Sequence, residues 1–72
     1  MQYLVIIEKA NGNYSAYLPD VPGCVATGKT PEEATKAITE ALTMHLDGLT
    51  QDGIPLPQPA ARADYIAVPI AT

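Results

Sequence analysis

The sequence predicts a small α+β domain of two layers, with the element order β-β-β-α-β. Three observations carry that expectation. Short runs of strand character, separated by turn residues, fill the first 28 positions; one capped amphipathic helix pattern runs from Thr30 to Gly53; an alternating apolar run occupies Asp64–Ile70. A strand reached by helical crossover lies parallel to its neighbour with a right-handed connection. The expected sheet is therefore mixed, with strand order 3-2-1-4 and the helix on one face.

The first strand is read at Met1–Glu8, "MQYLVIIE". Alternation sends Tyr3, Val5 and Ile7 to one face and Leu4 and Ile6 to the other. Apolar groups on both faces describe a covered, central strand. Asn11-Gly12 is a tight-turn dipeptide. Tyr14–Leu18 then returns antiparallel, with Tyr14, Ala16 and Leu18 on one face and Ser15 and Tyr17 on the other. The next stretch, "LPDVPGC", breaks the chain with Pro19, Pro22 and Gly23 before a short third strand at Cys24–Thr27. Proline pre-sets a backbone angle and lowers the entropy of the unfolded chain. The stretch reads as a rigid connector that starts strand three in a fixed register, with Asp20 bonding to backbone donors inside the turn.

The helix has clear limits. Thr30 is placed to cap it, Pro31 suits its first position, and Glu33 completes a capping box. Ala34, Ala37, Ile38, Ala41, Leu42, His45 and Leu49 form one stripe at about 100° per residue. Asp52-Gly53 ends it, with Gly53 as a left-handed cap. The proline-bearing segment "IPLPQPAARA" is an extended linker to the last strand, where Pro69 marks an edge or an end.

Composition limits the function. The chain has 72 residues, one domain at most, and its 47% hydrophobic content is too high for a disordered chain. Its longest apolar run is far below a membrane span. Cys24 is the single cysteine, so no internal disulfide can staple so small a domain, and no Cys/His cluster offers a structural zinc. Association with another chain is the remaining device. With one thiol and no signal peptide, the expected location is the cytoplasm. The net charge is −4, and Lys9, Lys29, Lys36 and Arg62 are scattered. That pattern disfavours direct nucleic-acid binding and favours a basic protein partner.

One helix covers one face of the expected sheet. The first and last strands carry apolar groups on both faces, so a second copy, a partner protein, or both must cover the rest.

The residues also resemble a known family. Gly12, Tyr14, Ala16, Pro19, Asp20, Pro22, Gly23 and Cys24, followed by Thr27, Gly28, Thr30, Glu32, Glu33 and Ala34, are similar to the motif of the HicB-like antitoxins. His45, Leu46, Gly48, Leu49, Asp52, Gly53, Pro55 and Pro57 continue that likeness. The resemblance implies a partial RNase H-like fold. It implies a bacterial or archaeal toxin–antitoxin module that masks a small basic HicA-like, RNA-cleaving toxin. Many relatives add a C-terminal DNA-binding domain; the expectation here is a single domain over residues 1–72 without one. A homo-oligomer, dimer or tetramer, is expected. The alternatives are a stand-alone oligomeric scaffold or regulatory module without a toxin, and a degenerate RNase H-like nuclease.

Individual residues weigh against catalysis. Nothing near Cys24 in sequence lowers its pKa, so it reads as a small inward residue. His45 lies in the apolar stripe and is expected to be held by a buried hydrogen bond to backbone. Glu8, Asp20 and Asp64 fall at separated places, which leaves no convergent metal site. Tyr3, Tyr14, Tyr17 and Tyr65 suit core packing and a protein interface. No catalytic, cofactor or metal residue is assigned. The expected partner-binding residues are Tyr17, Asp20, Tyr65, Ile66, Ala67 and Val68; Pro19, Pro22, Gly23, Cys24, Thr30, Glu33, His45 and Gly53 are structural.

Overall fold

In a computed structural model, which describes residues 1–70, three antiparallel strands carry one helix on one face. The strands are β1 (Ile6–Ala10), β2 (Asn13–Tyr17) and β3 (Val25–Gly28), in the order β1-β2-β3; the helix α1 spans Pro31–Gln51. The α+β class and the 3-2-1 part of the order match the sequence reading. The fourth strand does not form. Residues 62–70 are exposed and pair with no strand of the sheet. β1 therefore sits at an edge, not in the centre, and it begins at Ile6 because residues before it have no paired neighbour beyond Tyr17.

Register divides the sheet into two unlike faces. Ile7, Ala16 and Ala26 are aligned across the three strands, and they face the helix with Tyr3, Val5, Tyr14 and Leu18. Ala34 and Ile38 of α1 close this core, with Leu42 packed at its margin. Only Ala16, Leu18, Val21, Ala34 and Ile38 are fully buried among the described residues, a thin core for a chain of this length.

The turn between β2 and β3 is two tandem β-turns. Val21 N–H donates to the Leu18 carbonyl at 3.1 Å, and Cys24 N–H donates to that of Val21 at 3.2 Å. Each proline takes the second position of its turn, and Gly23 follows Pro22 at φ +87°, a backbone angle that favours glycine. The device rolls Val21 into the core at 2% exposure. Proline here wraps a core residue as well as setting the strand register.

Both helix ends follow the sequence. Thr30 Oγ1 accepts from Glu33 N–H at 3.1 Å. Glu33 Oε2 accepts from the N–H of Lys29, one residue before the cap, at 2.8 Å. At the other end Ile54 N–H reaches the Leu49 carbonyl and Gly53 N–H that of Thr50, with Gly53 at φ +68°, a complete Schellman closure. Thr35, Thr39 and Thr43 each donate a hydroxyl to the carbonyl four residues earlier, which satisfies the polar face locally.

Gly28 sets the distance between sheet and helix. A Cβ there would lie 2.5 Å from the Ala34 backbone nitrogen. The helix starts beside this end of β3 and returns along the strands. At about 1.5 Å per residue it outruns strands of four and five residues, so its second half passes beyond the sheet.

Candidate protein-interaction surface

The sheet face opposite α1 is uncovered, and its chemistry changes along the strands. Ile6, Tyr17 and Val25 form one cross-strand row, and Glu8, Ser15 and Thr27 the other face-sharing row toward the hairpin. The first is apolar and open, with Tyr17 39% and Val25 67% exposed; the second is polar. The apolar end is the one remote from Asn11-Gly12, where the tandem turn also lies. The row partners of Tyr17 escaped the sequence reading because register had to be known before Ile6 and Val25 could be placed beside it.

Asp20 sits at this same end with a role different from the expected one. It does not bond within its own turn. Its carboxylate accepts from Ala60 N–H at 3.0 Å and from Ala61 N–H at 3.0 and 3.2 Å. The tandem turn satisfies its backbone internally, which leaves the carboxylate free to grip the linker forty residues away. Tyr3 adds a second tether, its hydroxyl donating to the Pro57 carbonyl at 2.6 Å. Proline removes backbone donors and stiffens the linker between these points.

Beyond the tether the chain leaves the domain. Tyr65 is 99% and Ile66 85% exposed, and Ala67 and Val68 are exposed too. The structure thus brings Tyr17 and Asp20 to one end of the sheet and does not bring Tyr65–Val68 onto it. The Arg62–Asp64 ion pair, at 3.9 Å and open to water, adds little order.

His45 departs from expectation. It is exposed and joins Pro22, Gly23, Cys24, Val25 and Ala41 around a shallow hollow of about 290 Å³. At this level the stripe that carries His45 lies beside the last turn residues and the first residue of β3, Val25, at the end of the sheet, and the imidazole stays open to water. Cys24 is half-buried against the core. Glu8 lies in β1, Asp20 grips the linker and Asp64 begins the protruding segment; among the described residues no three His, Cys, Asp or Glu side chains gather as a metal-binding group.

The outer surface of α1 is acidic. Glu32, Glu33, Glu40, Asp47 and Asp52 are exposed from the first helical turn to the cap, against Lys36 alone. An apolar row on one face and a carboxylate-rich helix on the other suit recognition of a protein.

Comparison with known proteins decides the family. Residues 3–70 match the family described as HicB_like antitoxin of bacterial toxin-antitoxin system. The chain belongs to the HicB-like antitoxin family. Among its relatives, an uncharacterized 14.9 kDa protein of Haemophilus phage HP1 is 39% identical across 96% of this chain and 52% of its own length. A UPF0150 protein of Synechocystis is 36% identical across 96% of this chain and 84% of its own. Antitoxin HicB 1 of Photorhabdus laumondii is 35% identical across 99% of this chain and 47% of its own length. The chain thus spans about half the length of the phage and Photorhabdus relatives. A chain of a HicA3 and HicB3 toxin-antitoxin complex superimposes with TM-score 0.67 at 33% identity, over 83% of this chain and 70% of that one. Among the described residues, no helix of this HicB-like chain is long and apolar enough to cross a membrane.

Proposed function

We propose that this HicB-like chain is a non-enzymatic protein-binding module that neutralises a small basic HicA-like, RNA-cleaving toxin by covering its working surface. The observation that carries the reading is the likeness, at 33% identity, to a chain of a HicA3 and HicB3 complex. Charge supports it: the chain carries a net −4, concentrated on the outer side of α1. Such a field speeds encounter with a basic partner and orients it. Tyr17, flanked by Ile6 and Val25, supplies the apolar anchor of the contact; an exposed tyrosine on a rigid strand loses little entropy when it docks. Asp20 serves the contact indirectly, by fixing the linker at Ala60 and Ala61. The three strands and helix are read as part of an RNase H-like fold used for binding, in the cytoplasm.

The test is co-expression and co-purification with a small basic HicA-type protein, followed by kinetics across a salt series. The association rate should fall several-fold between low and physiological salt, as the Debye length shrinks from about 30 Å to about 8 Å. Tyr17→Ala should weaken the complex about tenfold, which corresponds to about 1.4 kcal/mol. A pair that fails to co-purify, or that associates at a rate indifferent to salt, refutes the reading.

A further inference from the structure

We propose that the segment Asp64–Val68 pairs with the free edge of β1 in a second copy of this chain, so that two molecules exchange C-terminal strands. This inference is independent of toxin binding. It starts from two misplacements in the single molecule. The strand with apolar residues on both faces, β1 with its approach Tyr3–Val5, lies at the sheet edge, where unpaired backbone groups invite another strand. The other such run, Tyr65–Val68, stands in water. One pairing resolves both.

The surface area agrees. The chain exposes 5681 Å², whereas a compact monomer of 7.6 kDa exposes about 4,300 Å². The surplus, about 1,400 Å² for one chain, exceeds the about 800 Å² that each partner contributes to a standard protein interface. The shape locates it: the molecule measures 55 × 28 × 17 Å, and its radius of gyration is 14.9 Å against about 11 Å for a compact chain of this length.

The tethers explain why the pairing is between copies. Asp20 clamps Ala60 and Ala61 beside the end of β2, after Tyr3 has fixed Pro57. The segment begins three residues beyond Ala61, and in the single molecule it is exposed and pairs with no strand of its own sheet. The hydrogen bonds it does make are local: Tyr65 N–H to the Asp64 carboxylate, and Ile70 N–H to the Val68 carbonyl across Pro69. That last bond is a three-residue turn, so the strand ends at Val68. The identity of the partner follows from charge. Arg62 and Asp64 cancel, and Tyr65–Val68 is neutral and apolar, which complements the β1 edge of an identical chain and offers nothing to a basic surface. Reciprocal exchange is a closed, two-fold arrangement. On either side of the added strand, one alternate set of side chains extends the core beside Val5 and Ile7, and the other extends the open face beside Ile6.

The test uses the full chain without a toxin. Light scattering after gel filtration at micromolar concentration should give twice the 7.6 kDa chain mass. Amide exchange at Ile66–Val68 and along β1 should be slowed at least tenfold relative to an Ile66→Asp, Val68→Asp double variant. Both sites are exposed within one molecule, so that variant keeps its far-UV circular dichroism while its mass falls twofold to that of a single chain. A wild-type mass of one chain overturns the proposal, as does a dimer that survives in the double variant or a dimer whose segment amides exchange freely.

Discussion

Alanine at Gly28 and alanine at Gly48 are the same chemical change, and the structure predicts opposite signs for them. At Gly28 the added Cβ would meet Ala34 N at 2.5 Å, and Glu33 C and Cβ at 2.8 Å. Ordinary contact begins at 3.4 Å. The first turn of α1 must therefore retreat by the better part of an ångström. It cannot retreat freely. Ala34 is fully buried, only Lys29 and Thr30 join β3 to the helix, and the Lys29–Glu33 and Thr30–Glu33 bonds tie the same turn. Overpacking against backbone costs about 1–3 kcal/mol, and a disturbed cap adds about 1 kcal/mol. In a domain this small, where about 4–8 °C of melting temperature goes with each kcal/mol, Gly28→Ala should melt at least about 8 °C lower. Gly48 lies inside α1 with nothing within 4 Å of an added Cβ. There alanine removes the helical penalty of glycine, about 0.8–1 kcal/mol, and the melting temperature should rise by about 4–8 °C. Thermal denaturation followed by circular dichroism decides the matter, at one fixed protein concentration because association shifts the midpoint. A Gly28→Ala protein that melts with the parent would show that the helix start can retreat freely, and a Gly48→Ala protein that falls alongside it would show that Gly48 is packed in a way an added Cβ disturbs.

Two further substitutions probe the cap and the tether. Thr30→Ala removes the acceptor for Glu33 N–H and should destabilise the domain by about 1 kcal/mol in urea unfolding with an unchanged slope. Thr30→Ser, which keeps the hydroxyl, should recover most of it. Asp20→Ala should release the linker, seen as amide exchange at Ala60 and Ala61 faster by tenfold or more while exchange at Ala16 is little altered. Equal protection at Ala60 and Ala61 before and after the change would mean that the carboxylate does not hold the linker.

The parts legible in the residues share one property: their physics is local. Thr30, Pro31 and Glu33 cap within a single turn, and Gly53 closes the other end within another, so spacing alone locates α1. Asn11-Gly12 and the paired prolines mark turns for the same reason. The candidate interaction surface is less legible. Tyr17 could be singled out as an outward aromatic, but its companions Ile6 and Val25 are neighbours only through register. Asp20 reads as a turn residue in sequence because its partners, Ala60 and Ala61, carry no side-chain signal; any backbone N–H would serve. His45 looked buried because periodicity describes which residues share a stripe and is silent on how far the sheet beneath it extends.

The α+β class, the strand–strand–strand–helix order, both ends of α1 and the likeness to the HicB-like antitoxins are written in the residues, because each is encoded in close neighbours or in a motif of fixed spacing. Tertiary structure alone decided that β1 is an edge strand, that Val21 is a core residue, that Asp20 clamps the linker and that Asp64–Ile70 stands outside the sheet. An alternating apolar run states that a segment can pair as a strand. Which edge it joins depends on where the chain has been tethered before it gets there, and Tyr3 and Asp20 hold the linker that leads to it.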